Sequence, residues 1–62
     1  MKYKVGDVLE MNGDHERMWR EGAHAVVVTV DPDDPELSYY VEIDDAIRYW
    51  VAEDELRGES NP

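Results

Sequence analysis

The sequence predicts a small all-β domain of five antiparallel strands, with no more than one helical turn, near its C-terminus. Between residues 37 and 44, apolar and polar side chains alternate with the period of a strand that has one buried face. Residues 25–30 are mostly β-branched, a composition typical of a central strand. No segment sustains the 3.6-residue apolar period of an amphipathic helix, and 62 residues suffice for one domain only.

The first half of the chain is predicted to hold two strands separated by a long loop. The first strand covers residues 5–11. Asn12-Gly13 follows it and is a strong hairpin signal, because both residues accept the positive φ of tight turns. The chain is therefore expected to double back through residues 14–19. The central strand over residues 25–30 ends at the proline- and aspartate-rich segment 31–35.

A hairpin over residues 37–51 is predicted next, and parity sets its register. Inward residues must face inward residues, because a slip of one position moves every side chain to the opposite face. The predicted inward and outward pairs are Ile43–Ile47, Val41–Tyr49, Tyr39–Val51, Glu42–Arg48 and Tyr40–Trp50. Residues 53–56 are expected to form one helical turn. The folded domain is expected to span residues 1–57, with a flexible tail over residues 58–62.

The same parity argument extends the sheet to the central strand. It predicts the pairs Val30–Leu37, Val28–Tyr39 and Val26–Val41 on the inner side, and Val27 beside Tyr40 on the outer side. Val27, Tyr40 and Trp50 would then form an apolar stripe on the outer face. The predicted core consists of Val5, Leu9, Val26, Val28, Val30, Leu37, Tyr39, Val41, Ile43, Ile47, Tyr49, Val51 and Leu56.

The order of these parts resembles the SH3-like barrel superfamily, in particular its short bacterial and phage-encoded members. The motifs that carry the resemblance are VGD at residues 5–7, VTVD at 28–31, YYVEIDD at 39–45 and WVAEDEL at 50–56. The resemblance implies a bent, five-stranded barrel that serves as a binding or adaptor module. Nucleic-acid-binding relatives carry basic loops, whereas the loops here are acidic. Polyproline-binding relatives line a groove with several first-loop aromatics, whereas this loop offers Trp19 alone.

Sixteen acids and six bases give a net charge of −10 at pH 7, and the excess lies in the second half of the chain. Residues 1–30 carry a net charge of −1, and residues 31–62 carry −9. The predicted acidic surface consists of Asp31, Asp33, Asp34, Glu36, Asp44, Asp45, Glu53, Asp54 and Glu55. Such a field repels nucleic acid and anionic membranes. It either favours a basic protein partner or keeps a small protein in solution, and both interpretations remain open.

The acidic segment that begins at Asp31 also invites a calcium-loop interpretation. Position five of that loop would be Pro35, which has no side-chain oxygen, and position six would be Glu36, where glycine is needed. A turn-forming role for these acids is therefore favoured. His15 and His24 lie nine residues apart and there is no cysteine, so no metal site is predicted. No nucleophile motif is present either. We predict a protein that is not an enzyme, with no catalytic residue and no cofactor.

Two interpretations are open for each tryptophan. Trp19, beside Met18 in a charged loop, either plugs one end of the barrel or extends a partner-binding surface with Arg17 and Arg20. Trp50 is either covered by a loop or the tail, or exposed as an interface anchor. In the second case the partner-binding residues would be Val27, Tyr40, Glu42, Arg48, Trp50 and Trp19.

These residues suggest two functions. The first is a protein-interaction module centred on the apolar stripe, with a protein partner or a second copy of the chain bound there. The second is an inhibitor that imitates DNA, with the nine acids of the predicted acidic surface standing in for phosphates. Direct binding of nucleic acid is disfavoured by the charge. The N-terminus has no apolar leader and the longest apolar run is residues 25–28, so a cytoplasmic location without membrane contact is expected.

Overall fold

Five strands form a single antiparallel sheet in the computed structural model, which describes residues 2–59. The strands are β1 Val8–Met11, β2 His24–Val30, β3 Tyr39–Ile43, β4 Ile47–Val51 and β5 Leu56–Gly58, and a 3-10 turn covers Glu53–Glu55. Their order across the sheet is β4-β3-β2-β1-β5. The predicted all-β class and the single helical turn near the C-terminus are confirmed, but the turn was expected to follow the last strand, whereas β5 comes after it. Gly58, assigned to the tail, ends β5, and residues 60–62 of that tail lie outside the described residues.

The hairpin of β3 and β4 has the predicted register at every position. Ile43 pairs with Ile47, and the other four predicted pairs follow along the ladder. The connection is Asp44-Asp45-Ala46, in which Asp44 and Asp45 have φ values of 53° and 56°. The N–H of Ala46 donates to the carbonyl of Ile43 at 3.0 Å and closes the turn. Aspartate is one of the few residues that accept this left-handed conformation.

The predicted register between β2 and β3 is wrong for two reasons: Val30 pairs with Tyr39 rather than with Leu37, and β2 contains a bulge. Val27 pairs with Val41, but Thr29 pairs with Tyr40, so the ladder shifts by one residue at Val28. Because of the extra residue, the alternation of inward and outward side chains is out of step between the two parts of β2 that the bulge separates. Ala25 and Val27 therefore point into the core, whereas Val26 and Val28 are half-buried.

The observed core differs from the predicted one on β2, in the two loops that flank it, and at single positions of β1 and β4. Its members are Leu9, Met11, Trp19, Ala25, Val27, Tyr39, Val41, Ile43, Val51 and Leu56. Val5 is 61 % exposed because β1 begins only at Val8. Leu37 and Tyr49 are also exposed, the former because it precedes β3. Val30 and Ile47, also predicted to be core residues, are partly buried and pack against this set.

The first loop, between β1 and β2, turns inward and delivers Trp19 to the core. His15 and Trp19 form an isolated bridge in which the N–H of His15 donates to the Trp19 carbonyl at 3.0 Å. A carboxylate oxygen of Asp14 accepts the N–H of Glu21 at 2.6 Å across the same loop. Trp19 is only 5 % exposed, so of its two predicted roles the structure supports that of a plug.

The last strand returns to the first one. Met11 of β1 pairs with Leu56 of β5, and Leu9 pairs with Gly58. Arg57 bonds Glu10 and Glu21, each at 3.1 Å, and these hydrogen bonds, Glu21 first, raise the pKa of the Arg57 guanidinium. Within residues 2–59 no helix has the length and apolarity needed to cross a bilayer.

Candidate protein-binding face

The outer face of the sheet, turned away from the core, carries an aromatic pair on β3 and β4. Tyr40 and Trp50 are directly opposed, with ring centroids 5.0 Å apart and planes inclined at 37°. Tyr40 is half-buried and Trp50 is 37 % exposed. An aromatic pair in this arrangement contributes about 0.5–1.5 kcal/mol beyond its burial. Trp50 therefore presents a large apolar surface that the described chain leaves partly uncovered.

An ion pair lies next to the aromatic pair on the same face. Arg48 contacts Oε1 of Glu42 through Nε at 3.2 Å and through a terminal nitrogen at 3.1 Å. The Arg48 side chain is half-exposed, so the pair contributes only about 0.2–1 kcal/mol to stability. It supplies the polar rim beside an apolar centre that an interface requires.

Val27 does not belong to this face. It is 1 % exposed and sits in the core, so its predicted place in the apolar stripe is wrong. After the bulge, the residue beside Tyr40 on β2 is Thr29, and the residue beside Glu42 is Val26. Paired residues share a face of the sheet. The β2 residues on the outer face are therefore Val26 and Thr29 rather than Val27.

The apolar surface continues from Val26 onto β1. Val8 pairs with Val26 and is 44 % exposed, so both valines lie on the outer face with Glu42. Sequence reasoning missed both residues as site members. Parity within β1 could have found Val8, because Leu9 and Met11 on either side of Glu10 point inward. No sequence signal marks Val26 as outward without knowledge of the bulge. The candidate face consists of Val8, Val26, Thr29, Tyr40, Glu42, Arg48 and Trp50.

Trp19 lies on the other side of the sheet and is not part of the candidate face. The centroid of its ring lies 4.8 Å from that of His15 and 5.6 Å from that of Tyr49, and the His15 and Tyr49 centroids are 5.7 Å apart. The predicted role of Trp19 as a partner contact is therefore wrong, because these rings and the core enclose it. Nδ1 of His15 is buried in this cluster without a hydrogen-bond partner among residues 2–59.

The acids of the loop between β2 and β3 organise its turns. A carboxylate oxygen of Asp31 accepts the N–H of Asp33 at 3.0 Å. Asp34 accepts the N–H groups of Leu37 at 3.0 Å and Glu36 at 2.9 Å. These two hydrogen bonds, that of Leu37 first, hold the pKa of Asp34 below its usual value. The geometry accounts for the acids as turn formers, and within residues 2–59 no three potential ligand side chains cluster in a way that could hold a metal ion.

The predicted acidic residues are not gathered into one patch. Asp44 and Asp45 follow β3, whereas the segment 31–36 precedes it, so the two groups lie at opposite ends of a five-residue strand. At about 3.3 Å per residue, that strand separates them by roughly 17 Å. In the 3-10 turn, Glu53 accepts the Tyr39 hydroxyl at 3.2 Å. Glu55 accepts the N–H of Ala52 at 2.8 Å, and Asp54 is exposed.

Comparison of the chain with protein-family models, with curated proteins and with solved structures gave no match in any of the three. The candidate face is therefore interpreted from its own geometry.

Proposed function

We propose that this chain is a small acidic interaction module, of an adaptor or regulatory kind, that binds a protein partner through the outer face of β3 and β4. The observation that carries the proposal is Trp50, 37 % exposed and held against Tyr40 on a regular hairpin. Tryptophan and tyrosine are enriched among the residues that dominate binding energy. A partner that covers Trp50 removes its apolar surface from water without having to order the side chain first.

The surroundings of Trp50 support a protein rather than a nucleic acid as the partner. Val8 and Val26 add apolar area on the same face beyond Glu42, and Glu42 with Arg48 provides polar groups that are already paired. The net charge of −10 disfavours phosphate contacts, which need lysine and arginine. It favours a partner with basic residues around its own apolar centre.

We further propose membership of the SH3-like barrel superfamily. The support is the pairing of β5 with β1, the strand order β4-β3-β2-β1-β5 and the 3-10 turn between β4 and β5. This proposal concerns ancestry and architecture. The binding function rests on the candidate face alone, because one fold serves many functions.

The test is affinity capture from cells that contain the native partner, with the wild-type chain, Trp50→Ala and Leu37→Ala as baits. Leu37 is also an exposed large apolar residue, but it lies in the loop before β3 and pairs with no residue of the candidate face. A partner retained by wild type and Leu37→Ala and lost with Trp50→Ala supports the proposal. Truncation of an anchoring tryptophan is expected to weaken binding by about thirtyfold or more. Equal capture by all three baits would contradict it.

Imitation of DNA is the second candidate function, and the number of exposed acids favours it. Asp33, Glu36, Asp45 and Asp54 are all exposed. Its weakness is their division between the two ends of β3. Salt separates the two functions, because binding by phosphate mimicry weakens steeply from low to physiological salt, whereas an aromatic-centred interface changes little. Neutralising these four acids should abolish mimicry and leave binding that depends on Trp50.

A further inference from the structure

Strand β4 is an edge of the sheet. It pairs with β3 on one side, and among residues 2–59 no backbone hydrogen bond reaches it from any other segment. Its three central residues, Arg48, Tyr49 and Trp50, are exposed. An edge strand presents unpaired N–H and C=O groups to which another strand can bond.

The hydrogen bonds around the Asp44-Asp45 turn determine which groups of β4 are free. The N–H of Asp44 donates to the His24 carbonyl on β2 at 2.8 Å, and the Ile43 carbonyl accepts from Ala46 at the start of the β4 side. Main-chain groups alternate in direction along an antiparallel strand. Ile43 and its partner Ile47 therefore bond each other across the hairpin. It follows that Arg48 and Trp50 direct their N–H and C=O groups away from β3, toward the open edge.

The opposite edge of the sheet is much less available. Strand β5 has only three residues, Leu56–Gly58. Arg57, at its centre, is held by Glu10 and Glu21. Proteins usually guard an edge with a proline, a lysine, a bulge or a very short strand. Strand β5 is short, whereas β4 has five residues, a regular ladder with β3 and neither proline nor lysine.

Acidic residues flank the open edge at both ends. Asp44 and Asp45 precede β4 and are exposed, and Glu53 and Asp54 follow it and are exposed. Arg48 is the one cation within β4, and Glu42 neutralises it. A strand laid along this edge meets Trp50 near its centre and carboxylates at both ends.

We propose that an extended, basic segment of the partner protein binds as a sixth strand along β4. This inference rests on the proposed function and specifies how the partner engages the same face. The main chain of the segment bonds Arg48 and Trp50, and its outward side chains cover the Trp50 ring. Lysine or arginine residues at its two ends meet the acids that flank β4. Main-chain bonding provides affinity and the alternate side chains provide specificity, as in other cases of strand addition.

A second copy of the chain fits this edge less well. In an antiparallel pair of β4 strands centred on Tyr49, the turn that holds Asp45 of one copy lies at the end of the ladder nearest Glu53 of the other. Like charges brought together at both ends of the pair repel each other. Each copy also brings a net charge of −10 to the contact. A basic segment reverses both effects.

The experiment uses a synthetic probe and two variants at one position. The probe is a short peptide with two lysines at each end and alternating valine and threonine between them. The variants are Arg48→Pro, which removes the outward N–H, and Arg48→Ala, which keeps it; both lose the ion pair with Glu42. Proline is tolerated on an edge strand where the missing N–H faces solvent. A second probe with every central amide N-methylated retains the charge and side chains but cannot donate along the edge.

We expect the unmethylated peptide to bind wild type and Arg48→Ala, and to bind Arg48→Pro at least about tenfold more weakly than Arg48→Ala, the effect of one lost hydrogen bond with its desolvation. The methylated peptide should bind wild type at least about tenfold more weakly than its counterpart. That second comparison needs no variant, so it decides the matter even if a thermal melt shows Arg48→Pro to be unfolded. Calorimetric titration measures both.

Equal affinity of the methylated and unmethylated peptides, or no binding of either, would overturn strand addition. A dimer of the wild-type chain by sedimentation, absent in Arg48→Pro, would also overturn it, with a second copy as the occupant. Trp50→Ala tests the proposed function separately. If the natural partner is lost with Trp50→Ala while Arg48→Pro and Arg48→Ala capture it equally, the interaction face stands and strand addition does not.

Discussion

The two tryptophans show at the scale of single residues how this chain separates stability from recognition. Trp19 is enclosed with His15 and Tyr49 on the core side of the sheet. Trp50 lies on the outer face beside Tyr40 and remains partly exposed. The same change at the two positions should therefore have different consequences for folding.

Replacement of Trp19 by alanine is expected to lower the free energy of unfolding by about 3–5 kcal/mol, because it leaves a cavity under the first loop. The free energy of unfolding of a domain of this size rarely exceeds about that amount. The variant should therefore be largely unfolded at room temperature. Trp50→Ala is the matched control and should cost about 1 kcal/mol. Urea denaturation followed by circular dichroism measures both, and equal losses would contradict the assignment of the two rings.

Asp45 offers a test of the hairpin turn. Its φ of 56° lies in the left-handed region, and it is exposed. This conformation destabilises a residue with a Cβ atom by about 1–2 kcal/mol, and aspartate by less. Glycine adopts it without steric strain, and its main cost is the larger conformational entropy that it loses on folding. We expect Asp45→Gly to be about 1 kcal/mol more stable than Asp45→Ala, which removes the same charge. Thermal melts compare the two variants, and an equal stability would contradict the turn geometry.

At the scale of elements, the bulge in β2 decides which residues reach the core and which reach the candidate face. It makes Val27 a core residue and turns Val26 outward beside Glu42. The residues of β2 are nearly all apolar, so either parity would have buried a valine. The hydrogen-bonded ladder with β3, rather than hydrophobicity along β2, selects between the two.

Threonine in place of each valine tests this assignment. Val27→Thr buries a hydroxyl group at a position that is 1 % exposed, so it should lower the free energy of unfolding by about 1–3 kcal/mol. Val26→Thr has the same change of side chain on the outer face and should stay within about 0.5 kcal/mol of wild type. Chemical denaturation measures both. If Val26→Thr proved the less stable of the two variants, the result would support the predicted register without a bulge.

The loop between β2 and β3 should show its carboxylate chemistry in a pH titration. The pKa of Asp34 is lowered in the folded state by the N–H groups of Leu37 and Glu36. Its stabilising contribution is therefore complete above the unfolded-state pKa of about 3.9 and disappears as pH falls through the lower folded-state pKa. Asp34→Ala should melt at a lower temperature than wild type at pH 7, with the difference vanishing in strong acid.

Asp33→Ala is the control for that titration. It lies in the same loop, and its carboxylate accepts no hydrogen bond described within residues 2–59. It should not show the loss of stability at pH 7 that Asp34→Ala shows. Equal melting temperatures for the two variants at neutral pH would contradict the role of Asp34 in the loop.

At the scale of the whole molecule, the net charge of −10 opposes the compact state. Raising NaCl from about 0.05 to about 0.5 M shortens the Debye length from about 14 to about 4 Å and screens the repulsion. The melting temperature of the wild-type chain should therefore rise. A double variant, Asp33→Asn with Glu36→Gln, should melt higher at low salt and gain less from added salt. A melt independent of salt would contradict a destabilising acidic surface.

The register of the β3–β4 hairpin is the part of the fold that could be predicted in full. Its side chains alternate in character on both strands, so a single register satisfies the inner face. The outer pairs Tyr40–Trp50 and Glu42–Arg48 follow from that register, and both are present. The part of the candidate face on these two strands was predictable for the same reason.

The part of the candidate face on β2 could not be predicted because that strand lacks such alternation. In β2, an apolar side chain stands at almost every position, so the pattern is consistent with either parity and with a bulge. Val8 could have been placed on the outer face, because it alternates with the inward residues Leu9 and Met11. The burial of Trp19 required the first loop to fold back through the His15–Trp19 bridge.

The sequence by itself determined the all-β class, the register of one hairpin, the helical turn near the C-terminus and the acidic balance. These follow from period, local turn chemistry and composition, which act over a few residues. The tertiary structure decided the bulge at Val28, the burial of Trp19 and the pairing of β5 with β1, which leaves β4 as the open edge. Such long-range contacts depend on how whole strands pack against one another. No local pattern in Leu56-Arg57-Gly58 indicates that this segment pairs with β1.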